Sequence, residues 1–128
     1  MKALLVDDDF NFCKILLEFL GPYGKHDTAR NGYEAIEKFF AGLENKQPYD
    51  LICLDVMMHD LDGLKALNII RGIEKIKKVA PVHLIIITAL DEDEVVGLNQ
   101  DVKSSAYLQK PVLKNDLLKT IKKLGLDI

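Results

Sequence analysis

The sequence predicts an α/β domain in which five parallel strands form a doubly wound sheet with helices on both faces. Short apolar runs alternate with stretches of helical period along all 128 residues, as expected for successive βα units. Two of the runs are apolar throughout, which is typical of strands that are covered on both faces. The length and the 48% of hydrophobic side chains fit one compact domain over residues 1–128.

The predicted strands are short apolar runs that end at polar residues. In chain order they cover 3–6, a weaker strand near 26–29, 51–54, 83–88 and 106–109. Right-handed crossovers between parallel strands place the intervening helices on the two faces of the sheet.

Helices are predicted where apolar side chains recur at the spacing i, i+3, i+4 and i+7. The four sets are Cys13, Leu16, Leu17 and Leu20; Ala35, Ile36, Phe39, Phe40 and Leu43; Ile69, Ile70, Ile73 and Ile76; and Leu117, Leu118, Ile121 and Leu124. Gly21-Pro22 ends the first helix, Asn31-Gly32 precedes the second, and Pro81 follows the third. A poorer helix over 92–100 is interrupted by Gly97.

Composition excludes several classes of protein. No apolar segment approaches the roughly 18 residues that cross a bilayer, and the start "MKALLVDDD" turns acidic too early for a signal peptide. Cys13 and Cys53 lie in apolar stretches without a metal-binding pattern, which favours free thiols in a reducing, cytoplasmic setting. The net charge of −3 gives no overall attraction to nucleic acid, although the tail "KNDLLKTIKK" is locally basic.

Polar side chains stand where the predicted strands end. Asp7 and Asp8 follow the first strand, Asp55 follows the third, Thr88 ends the fourth and Lys110 follows the fifth. Ligands of doubly wound sheets bind outside the carboxyl ends of the strands. We therefore expect these five side chains to form a site at one edge of the sheet.

Three carboxylates in one crevice repel each other, which predicts a cation among them. Mg2+ suits an open cluster of oxygen ligands, and Lys110 supplies further positive charge. From these residues alone Asp55 is a helix cap, a metal ligand or a nucleophile. An ionised aspartate that metal and lysine screen can attack phosphorus to form an aspartyl phosphate, and Thr88 can donate to a phosphoryl oxygen.

Four motifs occur in order at these strand ends: "LLVDDD", "DLICLDVMMHDLDG", "IIITA" and "YLQKP". With them the sequence resembles the CheY-like receiver domains of two-component response regulators over essentially the whole chain. The resemblance implies the flavodoxin-like (βα)5 fold with strand order 2-1-3-4-5. It also implies a signalling domain that promotes its own phosphorylation and slow dephosphorylation, and not an enzyme acting on a metabolite.

The resemblance implies a role for each matching residue. Asp55 would accept a phosphoryl group from a phosphohistidine of a histidine kinase or histidine phosphotransfer protein. Asp8 and Asp55 would bind Mg2+ directly with the backbone carbonyl of Met57, and Asp7 would act through metal-bound water. Lys110 would contact the phosphoryl oxygens.

A conformational switch is implied as well. Thr88 would move toward the phosphoryl group, and Tyr107 would turn inward into the vacated space. This movement would alter the surface of the fourth helix, fifth strand and fifth helix, which a downstream protein effector would bind. We expect no direct contact of this domain with nucleic acid or membrane, and either a stand-alone regulator or a piece of a longer protein.

Local structural roles are expected for several acidic and polar residues near the site. Either Asp9 or Asn11 is expected to cap the first helix. Asp60 and Asp62 are expected to form a turn with Gly63 ahead of the third helix.

The sequence departs from the pattern of the resembled family in two places. His59 stands where a proline usually follows the phosphoacceptor, and it adds a titratable group beside the site. The turn before the last strand, "DVKSSAY", is longer and more polar than usual.

Two other classes of protein remain as alternatives. Asp7-x-Asp9 resembles the catalytic pair of haloacid-dehalogenase-like phosphatases, although the chain lacks the following glycine-threonine and a late acidic pair. A flavodoxin-like cofactor carrier would share the sheet, but three aspartates in its first loop would repel a phosphate.

Overall fold

The computed structural model describes residues 1–59, 61–98 and 106–128. Its elements are β1 Ala3–Val6, α1 Phe10–Leu20, a 3-10 turn Gly21–Tyr23, β2 Asp27–Ala29, α2 Gly32–Glu44, β3 Leu51–Leu54, α3 Gly63–Lys77, β4 His83–Thr88, α4 Glu92–Leu98, β5 Ala106–Gln109 and α5 Lys114–Lys123. The strands form one sheet in the order β2-β1-β3-β4-β5. Every pairing in it is parallel, so the predicted fold is confirmed.

The predicted elements agree closely with the observed ones. Four strands have the predicted bounds, and the weak second strand begins one residue later than expected, at Asp27. The segment around Gly21 and Pro22, expected to stop the first helix, forms the 3-10 turn. Asn31 caps α2 by accepting a hydrogen bond from the Glu34 N–H. The predictions for 99–100, for the "DVKSS" segment and for Asp60 lie outside the described residues.

The sheet is buried on both faces because alternate residues of each strand point to opposite sides. Leu4 and Val6 of β1 lie in one apolar cluster, which α2, α3 and α4 cover. Ala3 and Leu5 lie in the other, which α1 and α5 cover. This two-sided burial leaves the ends of the strands as the place where polar side chains can gather.

The predicted third helix is confirmed, but only Ile70 and Ile73 of its four marker isoleucines face the core. Ile69 and Ile76 are exposed, whereas Ile70 is buried. The buried stripe is formed by Gly63, Ala66, Leu67, Ile70 and Glu74. Each step along the helix rotates by about 100°, so Ile69, one residue before Ile70, and Ile76, two residues after Glu74, both fall outside this stripe.

Glu74 is a carboxylate in the core-facing stripe of α3, only 3% exposed. It accepts hydrogen bonds from the Arg71 guanidinium at 2.8 Å and from the Val82 N–H at 2.6 Å. The same guanidinium donates to the Val82 carbonyl at 3.1 Å. Because the carboxylate is paired by these donors, it joins α3 to the segment that enters β4.

Both thiols are free and buried, as the apolar context of Cys13 and Cys53 predicted. Burial raises the pKa of Cys13 to about 11 and that of Cys53 to about 12, so neither thiol is ionised near neutral pH. In the described part of the chain, no helix combines the length and the apolar character that a transmembrane span requires.

Candidate functional site

Two carboxylates are positioned by backbone that continues the sheet beyond the ends of the strands. The Asp7 N–H donates to the Ala29 carbonyl at 3.0 Å, and the Asp55 N–H donates to the Val6 carbonyl at 3.0 Å. Asp7 is 2% exposed and Asp55 is 6% exposed, whereas Asp8 faces solvent. The apolar runs of β1 and β3 therefore carry two acidic side chains to a shielded position at one edge.

The start of α1 separates the roles of the three consecutive aspartates. Asp9 caps the helix, because its carboxylate accepts hydrogen bonds from the N–H groups of Asn11 and Phe12 at 3.0 and 3.2 Å. Its own N–H donates to Asp7 Oδ1 at 2.9 Å. The first of the two capping alternatives is thus confirmed, and Asn11 is not the cap.

The start of α3 packs directly against the segment that follows Asp55. Asp62 caps the helix by accepting a hydrogen bond from the Lys65 N–H at 2.8 Å, which confirms its predicted position. A Cβ on Gly63 would lie only 2.3 Å from the Asp55 carbonyl oxygen and 2.7 Å from the Val56 Cα. Only glycine permits this close approach of two backbone segments.

The structure brings the three predicted carboxylates together. One oxygen each from Asp7, Asp8 and Asp55 lies within 4.8 Å of the others. The Lys110 ammonium lies among them, 2.7 Å from Asp7 Oδ2 and 3.1 Å from Asp55 Oδ2. The other oxygen of Asp55 accepts a hydrogen bond from the Met57 N–H at 3.0 Å, so both carboxylate oxygens have a donor.

The pKa values show how strongly these charges interact. Burial raises the pKa of Asp7 above its usual range, and the charge of Asp55 raises it further, against the opposing hydrogen bond from Lys110. Burial lowers the pKa of Lys110, but the hydrogen bond to Asp7 and the charge of Asp55 outweigh it, so the net change is upward. Lys110 is therefore the cation that holds the carboxylates together.

The donor set fits a hard divalent cation. Three carboxylates and one ammonium leave an excess of two negative charges when all four groups are ionised. All three acidic ligands offer oxygen, and the partly exposed Asp8 leaves the cluster open to solvent on one side. An open, oxygen-only site of this kind suits Mg2+, which retains several of its water ligands.

Thr88 lies at the end of β4 and is fully buried. Its hydroxyl accepts a hydrogen bond from the Leu90 N–H at 3.5 Å, and its carbonyl accepts one from the Lys110 N–H at 2.8 Å. The peptide between Lys110 and Pro111 is cis. The predicted switch threonine is thus joined to the predicted lysine through the backbone of neighbouring strands.

Tyr107 is a partly buried residue of β5 that contacts the loop after β4. Its hydroxyl donates to the Leu90 carbonyl and to no carboxylate of the cluster. Burial, together with the charges of the nearby acidic residues at the start of α4, raises the pKa of this hydroxyl. Tyr107 and Thr88 therefore bind the two backbone groups of one residue, the carbonyl and the N–H of Leu90.

Two neighbours of the cluster were not assigned a role from the sequence. The Phe12 ring lies 4.4 Å from the Lys110 ammonium, a cation–π contact that depends on the rotation of α1 and leaves no sequence signal. The His59 imidazole lies 3.7 Å from Asp8 Oδ2, and its backbone N–H donates to the same oxygen at 3.3 Å. The signal for His59 was its departure from the resembled pattern.

A five-stranded sheet in this order, with an acidic cluster and a lysine at its carboxyl edge, is the arrangement of a phosphoacceptor signalling domain. Residues 3–122 match the family model described as the response regulator receiver domain, and the chain belongs to that family. It is a receiver domain of two-component systems.

Individual relatives agree with this assignment. The chain is 34% identical over 122 residues to the "Transcriptional regulatory protein CpxR homolog" of Haemophilus influenzae, over 94% of this chain and 48% of that protein. A two-component response regulator from Clostridium difficile has a similar structure, with a TM-score of 0.81, 28% identity and coverage of 98% and 95% of the two chains. The chain thus spans about half the length of the curated relative.

A third relative was solved as a complex. The CheX-CheY-BeF3-Mg+2 complex from Borrelia burgdorferi matches with a TM-score of 0.78 and 25% identity, covering 99% of this chain and 90% of that one. None of these three relatives supports the phosphatase alternative. The capping role of Asp9 also opposes it, because the second carboxylate of the Asp7-x-Asp9 pair is bound to the start of α1.

Proposed function

We propose that Asp55 is the phosphoacceptor of this receiver domain and takes its phosphoryl group from a phosphohistidine of a histidine kinase or histidine phosphotransfer protein. The observation that carries the proposal is the position of the Asp55 carboxylate. It lies at the end of a buried strand, within the acidic cluster and 3.1 Å from the Lys110 ammonium. A carboxylate in this position is shielded from solvent and close to positive charge.

The transfer is a displacement at phosphorus. An Asp55 oxygen attacks the phosphorus atom, the new P–O bond forms as the P–N bond to the donor imidazole breaks, and the imidazole leaves with the electron pair. The Met57 N–H and the Lys110 ammonium bind opposite oxygens of the carboxylate and so fix its orientation before the donor arrives. Lys110 then contacts the phosphoryl oxygens and neutralises part of their charge.

Asp8 and Asp55 would hold Mg2+ directly with the backbone carbonyl of Met57, and Asp7 would contact it through a bound water. When bound, the ion neutralises the repulsion between the carboxylates and an incoming phosphoryl group. The oxygen-only donor set and the excess negative charge support this assignment. The Mg2+ of the similar Borrelia complex supports it as well.

The output of the domain would be a changed binding surface and not turnover of a metabolite. Thr88 and Tyr107 would act as the switch pair, since both contact Leu90 at the loop between β4 and α4. A new phosphoryl group adds about 1.5 to 2 negative charges, enough to draw the Thr88 hydroxyl toward it. The face of α4, β5 and α5 would then bind a downstream protein effector in the cytoplasm.

The test is phosphorylation by acetyl phosphate with and without Mg2+, followed by intact mass spectrometry. Wild type should gain the mass of one phosphoryl group only with Mg2+, and the adduct should be lost in base. Asp55→Asn should gain none. Asp50→Asn is the matched control, because Asp50 precedes the same strand at the opposite edge of the sheet and should leave the adduct unchanged.

Two results would contradict the proposal. The first is an equal adduct on Asp55→Asn, and the second is the absence of an adduct on wild type under conditions that phosphorylate another receiver domain. Phosphorylation with the phosphohistidine form of a histidine phosphotransfer protein then tests the donor class directly.

A further inference from the structure

His59 places a nitrogen donor at the open side of the acidic cluster. Its side chain is 96% exposed, and Nε2 lies 3.7 Å from Asp8 Oδ2. The His59 N–H donates to this same oxygen at 3.3 Å, so the backbone holds the residue beside Asp8. Asp8 is therefore the one carboxylate of the cluster with an imidazole next to it.

The separation of these two atoms is close to that of two ligands of one metal ion. With bonds of about 2.1 Å, neighbouring ligands lie about 3.0 Å apart around an octahedral ion and about 3.4 Å apart around a tetrahedral one. The gap that remains is about 0.3 to 0.7 Å, and the imidazole is 96% exposed, so packing does not fix its position.

Imidazole changes which ions a carboxylate site prefers. Mg2+ takes oxygen ligands and gives up its waters reluctantly, whereas cobalt, nickel, copper and zinc ions bind imidazole nitrogen well. Carboxylate ligands alone suit magnesium, calcium and manganese ions. One added nitrogen ligand favours the transition metals.

We propose that His59 is a metal-selectivity residue, which ligates a divalent transition metal ion held by Asp8 and Asp55 and shifts the preference of the site away from Mg2+. The inference rests on the proposed function, because it uses the same metal site. The inference adds that the identity of the bound ion depends on which transition metal ions are available beside Mg2+.

The test is isothermal titration of wild type and His59→Gln with MgCl2 and with CoCl2 in the same buffer. The ratio of the Mg2+ to the Co2+ dissociation constant should fall by about tenfold or more in His59→Gln. The visible absorption of bound Co2+ should change in the same variant, because a nitrogen ligand is lost. His83→Gln is the matched control, since His83 begins β4 at the opposite edge of the sheet.

The variant Asp8→Asn distinguishes a failure of the inference about His59 from a failure of the proposed metal site. An unchanged ratio in His59→Gln, with Mg2+ binding weakened in Asp8→Asn, overturns the role of His59 and leaves the proposed Mg2+ site in place. Loss of Co2+ binding in His59→Gln but not in Asp8→Asn also overturns it, because the imidazole then binds Co2+ apart from the cluster. Binding of both ions that is unaffected by Asp8→Asn overturns the inference and the proposed metal site together.

Discussion

The Lys110 ammonium lies 2.7 Å from the Asp7 carboxylate, although 103 positions separate the two residues in the chain. The Asp7 side chain is 2% exposed and that of Lys110 is 21% exposed. A pair this shielded is screened little by salt, and removing either partner leaves the other charge uncompensated. The contact therefore joins the first strand to the last by a strong, specific interaction.

Replacement of the lysine should separate metal binding from phosphorylation. Lys110→Met removes the cation that competes with Mg2+ for the carboxylates, so the Mg2+ affinity should rise several-fold. It also removes a donor to the phosphoryl oxygens, so phosphorylation by acetyl phosphate should be about 100-fold slower. Titration calorimetry and a time course of intact mass measure the two effects. A variant that loses both Mg2+ binding and phosphorylation would instead indicate that Lys110 is needed to form the site.

The raised pKa of Asp7 makes a directional prediction for stability. Because the folded chain binds this proton more tightly than the unfolded chain, Asp7 favours folding below its unfolded pKa. This contribution is lost as the pH rises through its folded pKa. Without divalent metal, wild type should therefore lose unfolding free energy relative to Asp7→Asn as the pH rises from acid to neutral. Urea unfolding at both pH values measures it.

The control for the pH dependence of unfolding is Asp50→Asn, which removes a carboxylate at the far edge of the sheet. Its effect on the unfolding free energy should not follow the same pH course. An advantage of Asp7→Asn that grows as the pH falls would contradict the assigned direction of the Asp7 pKa.

Gly63→Ala should disturb the site through the backbone. The added Cβ would meet the Asp55 carbonyl oxygen at 2.3 Å, so α3 or the segment after Asp55 must move. We expect a loss of about 2 kcal/mol in the free energy of unfolding and weaker Mg2+ binding. Gly72→Ala is the matched control in the same helix, because its Cβ meets nothing within 4 Å. It should stabilise the domain by about 0.5–1 kcal/mol, and equal effects of the two changes would contradict this account.

Glu74 should matter for stability and not for phosphorylation. Glu74→Ala leaves the Val82 N–H and the Arg71 guanidinium without their carboxylate, which should cost about 3 kcal/mol. Glu74→Gln keeps an acceptor for Val82 and should cost less. Chemical unfolding gives the stabilities, and intact mass after acetyl phosphate treatment should show a full adduct for each variant that remains folded. A stable Glu74→Ala protein would show that the pair contributes little.

The position of the site could be predicted because the ends of the strands can be recognised in the sequence. Each apolar run stops at a polar residue, and the carboxyl ends of parallel strands share one edge. Asp7, Asp55 and Lys110 were therefore expected together before any distance was known, and the structure places them in contact. Capping preference was equally informative at Asp9, which caps α1, whereas Asp62 was expected only in the turn before α3 and proves to be the cap of that helix.

Features that depend on the rotation or packing of a helix were not predictable. The helical spacing of isoleucines indicated a core face that includes Ile69 and Ile76, yet both are exposed. From the sequence alone Glu74 would be expected at the surface, because its hydrogen-bond partners are known only from the structure. The contact of Phe12 with Lys110 depends on how α1 sits against β5, which no local pattern encodes.

Lys110 takes part in two kinds of contact at once. Its ammonium contacts the Asp55 carboxylate, and its backbone N–H donates to the Thr88 carbonyl at 2.8 Å. The acidic cluster and the peptide at the end of β4 therefore meet at one residue, the first through its side chain and the second through its backbone. A substitution at position 110 keeps the backbone contact and removes only the charged one, so the two contacts can be separated by mutation.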